Sequence, residues 1–170
     1  MLDSLRDQGL HPAELVARLR LGPSQTVADI GAGPGYFTLP LARAVPTGKV
    51  LALDVNASYL ANAERRARDA GLGNVEVRQV GPTSCELAPS TIDLAFLAQV
   101  DQALPDPARY LDEVRRALRP GGRVVVVNYA RRRAPLEAAA RAAGLRPVEE
   151  WSPTPPFYML VLRTGGSDAP

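Results

Sequence analysis

One stretch limits what this chain can become more than any other: Val27-Ala28-Asp29-Ile30-Gly31-Ala32-Gly33-Pro34-Gly35-Tyr36-Phe37. A short apolar run ends in an acid and three alternating glycines, and a segment of helical character follows. Glycines at this spacing let a backbone turn sharply after a strand and let a ligand lie against it without meeting a Cβ. A helix starting at Gly35 would aim its free N–H groups at an anionic part of that ligand. The stretch therefore predicts a nucleotide-like cofactor at the carboxyl edge of a parallel sheet.

The rest of the chain alternates strands and helices. Apolar or alternating segments predict strands over 26–30, 49–54, 75–80, 92–97 and 123–129. Between them, helices are expected over 35–44, from Asn56 or Ser58 to Ala70, over 107–118 and over 135–143, with a further helix opening at Pro12. Strand–helix alternation at this interval requires right-handed crossovers and a doubly wound α/β sheet. The last two strands, near 146–151 and 157–163, are separated only by Ser152-Pro153-Thr154-Pro155-Pro156. That link is too short for a crossover, so the two should pair as an antiparallel hairpin. The expected architecture is a Rossmann-like three-layer sandwich with a seven-stranded, mostly parallel sheet. It forms one domain over 1–163, with a flexible tail at 164–170.

Composition narrows the classes of function. Hydrophobic residues make up 46% and charged residues 22%, a globular profile. A net charge of +2 speaks against a nucleic-acid partner. The single Cys85 leaves no intramolecular disulfide and no cysteine-based zinc site, and no metal is expected. The first residues carry acids without an apolar stretch, and the run Val124 to Val127 is too short to span a bilayer, so a cytoplasmic protein is expected.

The fingerprint is not that of a dinucleotide site. A dinucleotide fold wants its third glycine where this chain has Tyr36, and Asp29 would repel a pyrophosphate. This disfavours a nicotinamide-dependent oxidoreductase. A ligand carrying an ammonium and a sulfonium suits the acid instead. Asp54, at the end of the second strand, offers two carboxylate oxygens to the hydroxyls of a ribose.

Three ordered stretches, Asp29-Ile30-Gly31-Ala32-Gly33-Pro34-Gly35, the strand ending in Asp54, and Leu118-Arg119-Pro120-Gly121-Gly122, resemble the class I S-adenosylmethionine-dependent methyltransferases. The likeness covers roughly residues 10–163 and looks nearest to the branch that includes ubiquinone and menaquinone biosynthesis methyltransferases. It implies S-adenosyl-L-methionine as cofactor, S-adenosyl-L-homocysteine as product, and a small-molecule acceptor. By position, Asp29, Gly31, Ala32, Gly33, Pro34 and Gly35 would hold the methionine moiety, and Asp54 the ribose. Val55 and Asn56 would lie beside the adenine, with Gly81, Pro82, Thr83 and Ser84 at its edge. Ala98 and Gln99 would meet the amino group where the acceptor approaches.

Two departures from the family pattern stand out. The loop at 81–84 lacks the acid that relatives often place near the adenine amino group, and the segment after the fourth strand carries Asp101 rather than histidine. Asp101 is the one candidate base, with a solvated loop acid as its plain alternative. Arg131-Arg132-Arg133 is either a solvated turn or a contact for an acidic acceptor. Tyr36 and Tyr129 either line the cleft or pack with their hydroxyls satisfied. The reduced segment at 130–134 and the missing acid motivate an alternative function, a non-catalytic S-adenosylmethionine-binding module or a subunit of a larger assembly. The acceptor, the pathway and the oligomeric state are not legible in the chain.

Overall fold

The computed structural model describes residues 10–165. Its centre is a seven-stranded sheet in the order β3-β2-β1-β4-β5-β7-β6. The strands are β1 (Thr26–Ile30), β2 (Lys49–Asp54), β3 (Val75–Gln79), β4 (Ile92–Ala98), β5 (Leu118–Tyr129), β6 (Leu145–Trp151) and β7 (Phe157–Thr164). The first five pair in parallel, whereas β7 runs antiparallel between β5 and β6. The architecture and the terminal hairpin are those expected from the chain. The tail expected at 164–170 falls largely outside the described residues.

Both faces of the sheet are covered, as the predominantly apolar central strands require. On one face lie α1 (Pro12–Arg18), α2 (Thr38–Ala44) and α3 (Ala57–Asp69); on the other lie α4 (Pro107–Ala117) and α5 (Arg133–Ala142). Alternation along each strand divides the core. Val27, Val50, Leu94, Phe96, Val125 and Val127 pack under α1 and α2. Ala28, Ile30, Leu53, Leu97 and Val126 pack under α4 and α5. Helix α4 presents Tyr110, Leu111, Val114 and Ala117 to that second layer, a spacing that keeps one helical stripe buried.

Helix starts follow their caps. The Asn56 side chain accepts from the amides of Ser58 and Tyr59 and so opens α3, and Asp106 accepts from Arg109 N to open α4. Two boundaries differ from the sequence expectation by more than two residues. Helix α2 begins at Thr38 rather than Gly35, because 33–37 is spent turning the chain back under the sheet edge. Strand β5 begins at Leu118 rather than Arg123, because Leu118 pairs with Ile92 and the ladder resumes at Leu94 with Arg123. Pro120-Gly121-Gly122 is therefore a bulge within the ladder. Asp93 anchors it by accepting from Arg119 Nη1 and from Thr26 N.

Candidate functional site

At the carboxyl ends of β1, β2 and β4 the chain leaves a cavity of about 430 Å³. A crevice here is what a parallel sheet creates where its strand order reverses, at β1 and β4. The glycine loop forms its inner wall. Gly31, Gly33 and Gly35 all have positive φ, at 71°, 54° and 88°. The loop is fastened to β2 by the amides of Gly31 and Ala32, both of which donate to Leu53 O at 2.8 and 3.0 Å.

Two of the glycines answer different needs. A Cβ on Gly31 would stand 2.2 Å from Val100 Cγ2, so the close approach of the loop after β4 excludes any side chain there. A Cβ on Gly33 would meet nothing within 4 Å, which leaves that flank open to a ligand. Gly35 lies outside the cavity lining and sits against Ala63 of α3, where only a bare backbone fits.

The two acids sit on opposite sides of this loop. Asp54 accepts from Gly33 N through Oδ2 and from Asn56 N through Oδ1, both at 2.8 Å. One carboxylate thus staples the glycine loop to the start of α3 and keeps a further lone pair on each oxygen for a ligand. Asp29 is only 2% exposed, and its Oδ2 accepts from Thr38 Oγ1 at 2.6 Å. Burial pushes its pKa up to about 7; the Thr38 hydrogen bond counters this and the Asp54 charge adds to it. A cation entering the cavity would hold Asp29 ionised. The N-terminal amides of α2 do not form the anion cradle expected from Gly35, since Tyr36 and Phe37 fill the turn ahead of a helix of only seven residues.

Of the residues singled out from the sequence, Asp29, Gly31, Ala32, Gly33, Pro34, Asp54, Val55, Gly81, Ala98 and Gln99 line the cavity. Gly35, Asn56, Thr83, Ser84 and Asp101 do not. Asn56 is occupied as the cap of α3. Ser84 turns away, its Oγ donating at 2.7 Å to Glu113, which also accepts from the amides of Cys85 and Glu86 and so organises the loop after β3. Burial pushes the Cys85 thiol there up to about 12.

Asp101 is not a solvated loop acid. It is 3% exposed, accepts from Asn128 Nδ2, and has Arg132 Nε 3.7 Å from its Oδ2. Arg131 stacks on Tyr129 and Arg133 pairs with Glu137 and Glu150, so the arginine turn spends its charges within the fold. Tyr36 lines the cavity while its hydroxyl donates to Leu10 O.

The outer wall was missed by sequence reasoning. Tyr59, Val80, Val100, Gln102, Leu104 and Tyr110 line it, brought together from four separate segments with no shared motif. Gln99 carries the one available signal, though only in the fold. Its φ is +57°, and its buried Nε2 has no hydrogen-bond partner among the described residues. A strained residue with an orphaned donor at a cavity wall is a feature of ligand sites. No Lys, Arg or His lines this cavity.

Residues 21–158 match the family model described as a methyltransferase domain. The chain belongs to the class I S-adenosylmethionine-dependent methyltransferase family. It is 33% identical over 157 residues to a trans-aconitate 2-methyltransferase of Azoarcus sp. (strain BH72), covering 87% of this chain and 60% of that one. It is 30% identical over 147 residues to a ubiquinone/menaquinone biosynthesis C-methyltransferase of Hahella chejuensis, covering 82% and 58%. The chain thus spans about 60% of the length of these curated relatives. Among solved structures, a SAM-dependent methyltransferase from Aquifex aeolicus superposes with a TM-score of 0.85 at 22% identity, over 93% of this chain and 92% of that one. The [4+2]-cyclase SpnF superposes at 0.80 with 19% identity, over 89% and 80%. The fold of this family is therefore shared by proteins of different named activity, and the reaction has to be argued from the site.

Proposed function

We propose that this chain binds S-adenosyl-L-methionine in the cavity at the β1, β2 and β4 ends and transfers its methyl group to a small-molecule acceptor. The observation that carries the reading is the pairing of Asp29 and Asp54 in one cavity that no basic side chain lines. The groups of the cofactor find matching partners. Asp29 is placed for the ammonium, the outward lone pairs of Asp54 for the ribose hydroxyls, and the orphaned Gln99 amide for a carboxylate. The open flank at Gly33 leaves room for the bound molecule beside the loop. Val55, Val80, Gly81 and Pro82 supply an apolar slot of the kind an adenine occupies.

When bound, the cofactor supplies an electrophilic methyl group on a sulfonium. The chain's own contribution is positioning and the exclusion of water. Val100, Leu104, Ala103, Tyr110 and Phe37 form the apolar wall that keeps the cavity dry, and proximity in such a site is worth several kcal/mol. Asp101 does not act as base, since Asn128 and Arg132 hold it behind the wall. His11, the only histidine, stands at the start of α1 and outside the lining. The acceptor is accordingly one whose nucleophile needs no proton removed by a lining histidine: an electron-rich carbon or an already ionised heteroatom.

Calorimetric titration tests the binding half of this reading. S-adenosylmethionine should bind with one-to-one stoichiometry, NADH should not bind, and Asp54→Ala should weaken the cofactor about tenfold or more while the thermal unfolding transition persists. Unchanged affinity in that variant would remove Asp54 from the site. Formation of S-adenosylhomocysteine over a panel of phenols, enols and thiols tests the transfer. Binding without turnover on any of them would favour the non-catalytic module instead.

A further inference from the structure

We infer that the groove between α1 and the outer strands β5, β7 and β6 is a second binding site, built for a small ligand that carries two or more linked phosphates. It shares no lining residue with the methyl-donor cavity. Its origin lies in the strand pattern. Along β7, Phe157, Met159 and Val161 face the layer under α1, and Arg163 continues the same alternation. On β5, Arg123 stands two residues before Val125 on that face. Helix α1 has only seven residues and ends at Arg18, so it leaves the outer strands partly uncovered.

The result is a groove of about 690 Å³ walled, among the described residues, by Arg18, Arg20, Arg123 and Arg163, with Glu149 as the one acid. Four guanidinium charges against one carboxylate leave it three positive charges, more than the net charge of the whole chain. None of the four forms an ion pair with a described carboxylate. Three of them are held instead by neutral partners. Arg123 Nη2 donates to Leu19 O at 2.5 Å, Arg163 Nη1 donates to Gly121 O at 2.7 Å, and Arg18 lies 4.3 Å over the ring of Trp151. Arg20, just after α1, is held at a φ of +49°, a strained position for a residue with a side chain.

Each guanidinium has five donors in a fixed fork, and these contacts use a small part of them. Arg123 is half-buried, where lost hydration and the charge of Arg163 work against its ionised form and the charge of Glu149 partly offsets them. Four like charges, two of them half-buried, facing a single carboxylate make a binding device for an anion that fits the forks bidentately. The excess of three charges selects linked phosphates over a single carboxylate. A long polyanion is disfavoured, since it would run from the groove onto Glu14, one turn before Arg18.

Trp151 is the only tryptophan and lies under Arg18, so fluorescence excited selectively in tryptophan reports on this end of the groove. Titration of the full chain with inorganic pyrophosphate at low salt should give a saturable change, with half-saturation at least about tenfold below that for inorganic phosphate. The double variant R20Q/R163Q should shift that midpoint at least about tenfold. It should keep its melting temperature and its affinity for S-adenosylmethionine. If fluorescence is silent, isothermal calorimetry with pyrophosphate decides the matter by the presence or absence of a saturable heat. Three results would overturn the assignment: a change matched by sodium sulfate at equal ionic strength, a double variant that titrates like the wild type, or a response to single-stranded RNA with none to pyrophosphate.

Discussion

If S-adenosylmethionine binds as proposed, Asp29 should make its affinity depend on pH, in a direction set by the raised pKa of this buried acid. Burial lifts its pKa from 3.8 to about 7, so in the free protein it is half-protonated near neutrality. The unfolded chain ionises Asp29 near its ordinary value and binds fewer protons than the folded one between pH 4 and pH 7. This group's contribution to stability therefore falls as pH rises across that window. At pH 8 the buried charge costs at most about 4 kcal/mol, from about three pKa units at 1.36 kcal/mol each. A cation bound against the carboxylate recovers part of this, so affinity follows the ionised fraction. From pH 8 to pH 6 that fraction drops about tenfold, and the dissociation constant for S-adenosylmethionine should rise about tenfold with it.

Asp29→Asn isolates the effect. The amide oxygen still accepts from Thr38, but nothing titrates. The variant should bind the donor more weakly at pH 8, lose the pH dependence that the wild type adds to the ligand's own titration, and melt at a higher temperature at pH 8. Calorimetry at pH 7 in two buffers of different ionisation enthalpy should show about half a proton more released per ligand by the wild type than by the variant. Equal proton release in the two proteins, or a variant less stable than wild type at pH 8, would refute the reasoning.

Gly31→Ala should be strongly destabilising, by about 2 kcal/mol or more, because the added Cβ collides with Val100 and the φ of +71° suits glycine. Thermal melting checks it, and a second change, Val100→Ala, should recover the steric part only. Asn56→Ala should cost about 1 kcal/mol in urea unfolding through the lost cap of α3. Cofactor binding should be largely kept, since it is the backbone amide of Asn56 that donates to Asp54.

Much of this protein was readable because its signals are local. A strand buried on both faces needs a mostly apolar run, and 27–30 and 92–97 show one, each broken by a single aspartate. A chain reversing after β1 against a ligand needs glycine at positive φ, and an acid ending β2 falls beside that loop whenever β1 and β2 pair in parallel. Alternation and loop length sufficed for the terminal hairpin as well. Other features arise from residues distant in the chain and have no motif.

From the sequence Asp101 is a candidate base or a solvated loop acid, whereas Asn128 and Arg132, some thirty residues on, close over it in the fold. Gly35 reads as part of the ligand loop from the sequence, whereas in the fold it lies outside the cavity lining and against Ala63. The apolar outer wall, the raised pKa of Asp29 and the arginine groove each depend on which side chains share a volume and how much water is left there. Chain order dictates the hydrogen-bonding pattern and the turns. Desolvation and the pairing of charges across the fold belong to the tertiary structure, because both are set by distances through space.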